Sequence, residues 1–382
     1  MANRHFGFGR LDRRAAMGLL LRGGVGCGVM GLLLERQVGA ADQLFHGVPE
    51  LYFPKENIIR TILKDISPHD LKKGATWVHE HLNYAFMKGS PPAVDLDLVV
   101  KELQQSAADG VTGVVDQAVN RRTDQQVQNL RTIAARTRVH IIMAGGYYTA
   151  PYPVSANIPN RSVDDIANEL VADAVNQRWG AFGEIGVSLP LVQDVALKDD
   201  EIKVMRAVSQ AHLRTGLPIC THNPHQGCVV CPHLQIDTYL NAGVDPQHIC
   251  VGHLTDTSPS MDPGWQSLRA LGQRGAFLGF DTLAQDYTRF SNFKFNVVPD
   301  ADRVQMILAA LDAGFEDQIL FSTDFSYPPQ LKTNWGAGLS SILHDFVPKL
   351  MYAGVDERTI GKIIINNPRR FFAFVPKGPA KL

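Results

Sequence analysis

A basic surplus is missing from this chain. Its 37 lysines and arginines meet 38 aspartates and glutamates, for a net charge of -1. That argues against a nucleic-acid-binding surface, which needs a basic excess or stripe. Cysteine is scarce, at 5 in 382 residues. Cys228-Val229-Val230-Cys231 has no second Cys-x-x-Cys to complete a zinc ribbon, so it reads as a loop disulfide or as free thiols. His225 and His233 flank it and leave room for a minor metal site. Cys220 and Cys250 lie inside apolar runs and read as small core residues. No Gly-x-Gly-x-x-Gly follows the first strand-like run, which removes the main support for a dinucleotide fold. Low-complexity tracts and motif-level repeats are absent as well.

A clean membrane-spanning run is also lacking. The apolar stretch ahead of Leu34 is interrupted by Arg22 and several glycines. Arg13-Arg14 precedes it, and Val38-Gly39-Ala40 closes it with the small or apolar residues a signal peptidase reads. Residues 1–40 therefore resemble a twin-arginine signal peptide. The expected partner is the twin-arginine export machinery, and the expected location is periplasmic or secreted, with no stable membrane span. That leaves a lead-in over 41–73 and a body over 74–376.

In the body, short apolar runs alternate with amphipathic ones. The short runs are 75–81, 111–116, 139–144, 181–187, 217–222, 249–253, 276–281 and 319–324. Each is bounded by turn residues and is apolar on both faces, as parallel strands are. Between them, apolar residues recur at three- and four-residue steps, as in Ile166-Leu170-Val171-Ala174. Ser162 and Asp300 are candidate N-caps, and Gly216 and Gly314 are candidate C-caps. Eight strand–helix units favour an α/β fold of the (β/α)8 TIM-barrel type with a short N-terminal extension.

Metal-ligand residues gather at the ends of these runs. His79 and His81 alternate with Glu80 on the first strand, so both imidazoles share a face, and Glu80 reads as structural. Glu184 lies in Gly183-Glu184-Ile185-Gly186, His222 and His253 end the fifth and sixth strands, and Asp324 ends the eighth. A barrel assembles its active site at that face. Four histidines and two carboxylates converging there suit two divalent ions. Asp281, ending the seventh strand, is read as a substrate-positioning residue. The 280–299 loop, with Tyr287, Phe290, Phe293 and Phe295, should overhang the site.

Taken together, His79-Glu80-His81-Leu82, Gly183-Glu184-Ile185-Gly186, Thr221-His222, Val251-Gly252-His253 with Asp256-Thr257, and Ser322-Thr323-Asp324 resemble the phosphotriesterase-related branch of the amidohydrolase superfamily. Asn367-Pro368-Arg369-Arg370-Phe371-Phe372 resembles its closing segment. The resemblance implies a buried metal on His79, His81 and Asp324 and an exposed metal on His222 and His253. Glu184 would bridge them where the best-known relatives use a carbamylated lysine. It implies Tyr148 at the pocket mouth and a possible homodimer. The expected cofactors are two divalent ions, zinc foremost among Zn, Mn, Co and Fe. The expected reaction is hydrolysis of a small-molecule lactone, carboxylic ester or phosphotriester by a metal-bridging hydroxide, with Asp324 taking up the proton. Two alternatives are a magnesium-dependent deoxyribonuclease of the same superfamily and a non-catalytic exported binding protein. The His-Glu-His-Leu form and the lack of basic excess oppose the first, and the complete ligand set opposes the second.

Overall fold

The computed structural model describes residues 47–83, 95–119, 121–148, 157–188, 196–285 and 298–378. The chain divides into Met1–Ala40 and Ala41–Leu382, and all described residues belong to the second unit. The expected signal segment and the aromatic residues Tyr287, Phe290, Phe293 and Phe295 lie outside the described residues. No helix among the described residues is long and apolar enough to cross a membrane.

A two-residue hairpin opens the described chain, β1 (Ile59–Arg60) against β2 (Asp65–Ile66). Eight parallel strands follow in sequence order: β3 (Ala75–Glu80), β4 (Val111–Asp116), β5 (His140–Gly145), β6 (Ala181–Gly186), β7 (Ile219–His222), β8 (Ile249–Val251), β9 (Phe277–Phe280) and β10 (Ile319–Phe321). Each neighbours the next in the sheet. A parallel bridge between Glu80 and Phe325 joins the last strand back to the first. The fold is a (β/α)8 barrel.

The strands are buried along nearly their whole length, which is why they read as continuous apolar runs rather than alternating ones. One buried cluster takes a residue from every barrel strand: Val78, Val115, Ile142, Ala181, Cys220, Cys250, Phe277 and Leu320 among them. It takes none from the helices between the strands, so it is the barrel lumen. Ile59 and Ile66 of the hairpin and Phe371 and Phe372 of the closing helix join it. Phe374 exchanges backbone hydrogen bonds with Ile58, which ties the two chain ends together there. Cys220 and Cys250 are thus small lumen residues, as their apolar surroundings suggest.

The helices carry the expected stripes. α1 (Leu96–Ala108), α2 (Asp124–Ala135), α3 (Val163–Gln177) and α4 (Asp199–Thr215) turn apolar residues onto the sheet. α5 (Cys231–Asn241), α6 (Gln266–Gln273) and α7 (Asp300–Asp312) complete the ring. Ser162 caps α3 by accepting from the Asp165 amide at 3.0 Å. Asp300 is not a cap. Pro299 holds that position, and Asp300, one residue inside, pairs with Arg303 at 3.0 Å and Lys349 at 2.8 Å. A buried carboxylate finds stronger partners in two cations than in a helix amide.

Candidate metal centre

His79, Glu184 and His222 lie near the ends of β3, β6 and β7, whereas β8 and β10 end sooner than the apolar runs suggest and leave His253 and Asp324 just beyond them. His253 follows β8 with φ 55°, and Asp324 follows β10 with φ 51°. Left-handed backbone costs about 1–3 kcal/mol at a non-glycine residue and persists where the surroundings over-determine it. Here they do. The His253 amide donates to both Asp281 carboxylate oxygens, at 2.8 and 3.0 Å. The Asp324 amide donates to the His79 carbonyl at 3.1 Å.

On β3 a register irregularity lies between Trp77 and Glu80. Both imidazoles face the centre, with ring centroids 5.4 Å apart. The His81 Nε2 lies 3.2 Å from Asp324 Oδ1 and 3.6 Å from Glu184 Oε1. His79 Nε2 lies 3.5 Å from Glu184 and 3.9 Å from Asp324. Glu80 turns away, and its carboxylate accepts from Ser322 and Thr323 hydroxyls and from the Thr323 and Phe325 amides. Its structural reading holds.

Glu184 stands between two groups of donors. One oxygen faces His81; the other faces His222, His253 and His79. Its neighbour Gly183 is pressed so closely against β7 and Gln117 that a Cβ there would lie 2.4 Å from Gln117 Oε1. Three overlapping groups have ligand atoms within 4.8 Å of one another: His79, His81 and Asp324; His79, Glu184 and His253; and His222, His225 and His253. The six residues expected from the sequence converge, and His225 joins them.

The histidines are oriented from behind. His253 Nδ1 donates to Asp281 at 2.9 Å, and His81 Nδ1 donates to the Gln117 carbonyl at 3.2 Å. His79 Nδ1 lies 3.2 Å from Asp281. Each ring therefore leaves Nε2 for the centre. His222 is reversed: its Nδ1 meets Glu184, and its Nε2 lies 2.8 Å from the Tyr148 hydroxyl. Tyr148, half-buried, packs edge-on against that ring. Asp281 is 1 % exposed, with its carboxylate engaged by His253 and His79. Its partners are therefore the histidines, and it stands beneath the ligands.

The charges suit a cation. Burial raises the Glu184 carboxyl, but His222 and His79 beside it outweigh that and hold it well below its ordinary value. Asp281 and Asp324 are likewise depressed against the pull of burial, by His253 and by His81 respectively. Burial alone would lower His253, yet Asp281 brings it up to about 10. For His222 burial prevails, and its value falls to about 4. The centre thus presents two ionised carboxylates, Glu184 and Asp324, among imidazoles, with Asp281 behind them, a hard-to-borderline donor set for a divalent metal.

The model of the Phosphotriesterase family matches residues 58–372. The chain belongs to that family. N-acetyltaurine hydrolase from Bos taurus is 27% identical over 315 residues, covering 80% of this chain and 85% of the relative. The phosphotriesterase homology protein of Escherichia coli is 26% identical, covering 78% and 98%. Its crystal structure, with phosphate in the active site, superposes with a TM-score of 0.66 over 79% of this chain and 99% of that one. A resiniferatoxin-binding protein from Rhodobacter sphaeroides gives a TM-score of 0.70 at 30% identity, over 82% and 94%. Family membership and the ligand clusters make the chain a metal-dependent hydrolase.

His225 joins the centre from the cysteine-bearing loop, three residues after His222. The His-x-x-His spacing was the available signal. Cys228 and Cys231 form a disulfide, which resolves the thiol alternatives and leaves no cysteine ligand there.

Proposed function

We propose that the chain is a binuclear hydrolase that opens a lactone or cleaves a carboxylic ester or phosphotriester. The observation that carries this reading is His79 Nε2, a buried nitrogen without a hydrogen bond that points at two ionised carboxylates. Such an atom is costly unless something coordinates it. His79, His81 and Asp324 would hold the inner ion, His222 and His253 the outer one, and Glu184 would bridge them without any covalent modification. Zinc suits this imidazole and carboxylate set. When bound, such a pair supplies a water acidified to near neutrality and Lewis-acid polarisation of the scissile carbonyl or phosphoryl oxygen.

The remaining work falls to the protein's own groups. Asp324 has the most solvent-accessible of the three carboxylate side chains, at 11% against 2% for Glu184 and 1% for Asp281. It is therefore the group suited to take up the proton released on attack and to pass it outward. Tyr148 fixes the His222 ring and borders the space beside it, where it would meet the substrate. A second reading, hydrolysis of a small N-acyl amide, is favoured by the similarity to N-acetyltaurine hydrolases over four-fifths of the chain.

The test is a panel of lactones, aryl esters, phosphotriesters and N-acetyl amides given to metal-loaded enzyme, with Glu184→Ala and Asp324→Asn beside it. Both substitutions should abolish turnover of whichever class is cleaved; turnover that survives both refutes the site. Export belongs to the same reading. Its supports are Arg13-Arg14 and a disulfide of the kind that persists in oxidising compartments. A reporter fused after residue 40 should be exported, and replacing both arginines by lysine should stop it. A reporter that never leaves the cytoplasm contradicts the proposal.

A further inference from the structure

The loop between β7 and α5 carries more order than a connector needs. It turns through a hydrogen bond from the Gly227 amide to the Pro224 carbonyl, at 2.9 Å. Gly227 has φ +78° and sits against Asp256, where a Cβ would lie 2.8 Å from the backbone oxygen. The Cys228–Cys231 disulfide clips the far end of the loop. His225 lies within this clipped turn.

Its ring is fixed from behind. Nδ1 lies 2.8 Å from Asp256 Oδ2, and that carboxylate is completely buried. Asp256 Oδ1 accepts from the Thr282 hydroxyl at 3.1 Å, which holds the carboxylate in turn. A buried carboxylate that takes the Nδ1 proton leaves the lone pair on Nε2. That nitrogen faces the centre, 3.8 Å from Asp324 Oδ2. The His225 ring centroid is 4.4 Å from that of His253 and 5.2 Å from that of His222. Ligand atoms of all three histidines fall within 4.8 Å of one another. Asp256 stands to His225 as Asp281 stands to His253: a carboxylate behind the ring and Nε2 in front.

We propose that His225 is a third imidazole ligand of the outer metal, with Asp256 as its positioning residue. The outer ion is then held by His222, His225 and His253 together with Glu184, a donor set that suits zinc or cobalt(II). This inference rests on the binuclear reading above. Its side chain is 22% exposed, against 4% for His222 and 1% for His253, so His225 is the ligand at the solvent edge of the site. Its loss should affect the outer ion and leave the inner one in place.

Cobalt(II) is the probe, because its visible spectrum reports ligand number and type independently of turnover. Full-length protein is loaded with cobalt as wild type, His225→Ala, His225→Gln and Asp256→Asn. Each is titrated with a chelator while the bound metal and the spectrum are followed. Wild type should hold two ions. Losing a direct ligand should weaken the outer ion by about 100-fold and alter its cobalt bands, and Asp256→Asn should weaken it about tenfold, in line with the effect of outer-sphere partners. Should His225→Ala fail to fold, His225→Gln is read in its place. Two ions in wild type with unchanged affinity and spectrum in the His225 variant overturn the third-ligand inference alone. Fewer than two ions in wild type overturn the binuclear reading along with it.

Discussion

At the scale of single residues, Asp281 shows how much of this site is support. Its carboxylate takes the backbone and ring protons of His253 and lies beside His79 Nδ1, so one side chain sets the backbone of one ligand and the ring orientation of two. Asp281→Asn should therefore lower metal affinity about 10- to 100-fold while the fold persists. Competition with a chelating dye measures this, and unchanged affinity would mean the histidines are oriented without it. Gly183→Ala should destabilise the chain by about 1–3 kcal/mol through overpacking, because the added methyl meets Gln117 at 2.4 Å and the Cys220 Cβ at 2.9 Å. Urea unfolding reads that loss. The histidines at 79, 81, 222 and 253 and the acids at 184 and 324 were legible because each lies within or at the end of an apolar run. The roles of Asp281 and His225 were not. Both depend on contacts across strand ends and loops far apart in the chain, such as Asp256 with His225, that no local pattern encodes.

At the scale of elements, the link between α4 and β7 carries a pH-dependent contribution. His212, in the last turn of α4, is buried and donates from Nδ1 to the Leu217 carbonyl at 2.7 Å, across the left-handed Gly216. Burial brings its pKa down to about 4 against the raising effect of that hydrogen bond. The folded value lies below the unfolded one of about 6.5. Its contribution is therefore complete above pH 6.5 and is lost as pH falls toward 4. Between pH 7 and pH 5 the wild type should lose about 2 kcal/mol more than His212→Asn, whose amide keeps a donor without titrating. Equal losses in urea unfolding at the two pH values would contradict this. The strands and helices themselves were legible from apolar period and turn residues. The strand ends were not, since β8 and β10 stop before His253 and Asp324, where the backbone enters left-handed geometry that side-chain pattern does not report. The Asp300 cap failed for a related reason: Arg303 and Lys349, the latter from a distant helix, outbid the helix amides.

At the scale of the whole molecule, one carboxylate reinforces the backbone seam that closes the barrel. β3 and β10 meet through the Glu80–Phe325 bridge, a hydrogen bond from the His81 amide to the Phe325 carbonyl at 2.8 Å, and four bonds to the Glu80 carboxylate. The seam they close also carries His79, His81 and Asp324. Glu80→Gln puts an amide donor among groups that are all donors, and should cost about 2 kcal/mol in unfolding free energy. A variant as stable as wild type would show that the backbone bonds and packing close the seam without that carboxylate. The eight-strand count was legible in the sequence, whereas this closure was not, because it pairs residues from opposite ends of the body.

The central claim is that Glu184 organises a two-metal centre, and metal content tests it most directly. After reconstitution with zinc and removal of loosely held ions, elemental analysis should find about two ions per wild-type chain. Glu184→Ala should hold about one or fewer, because the carboxylate that faces both ligand groups is gone. Well under one ion per chain in wild type, or two ions retained by Glu184→Ala, would contradict the account.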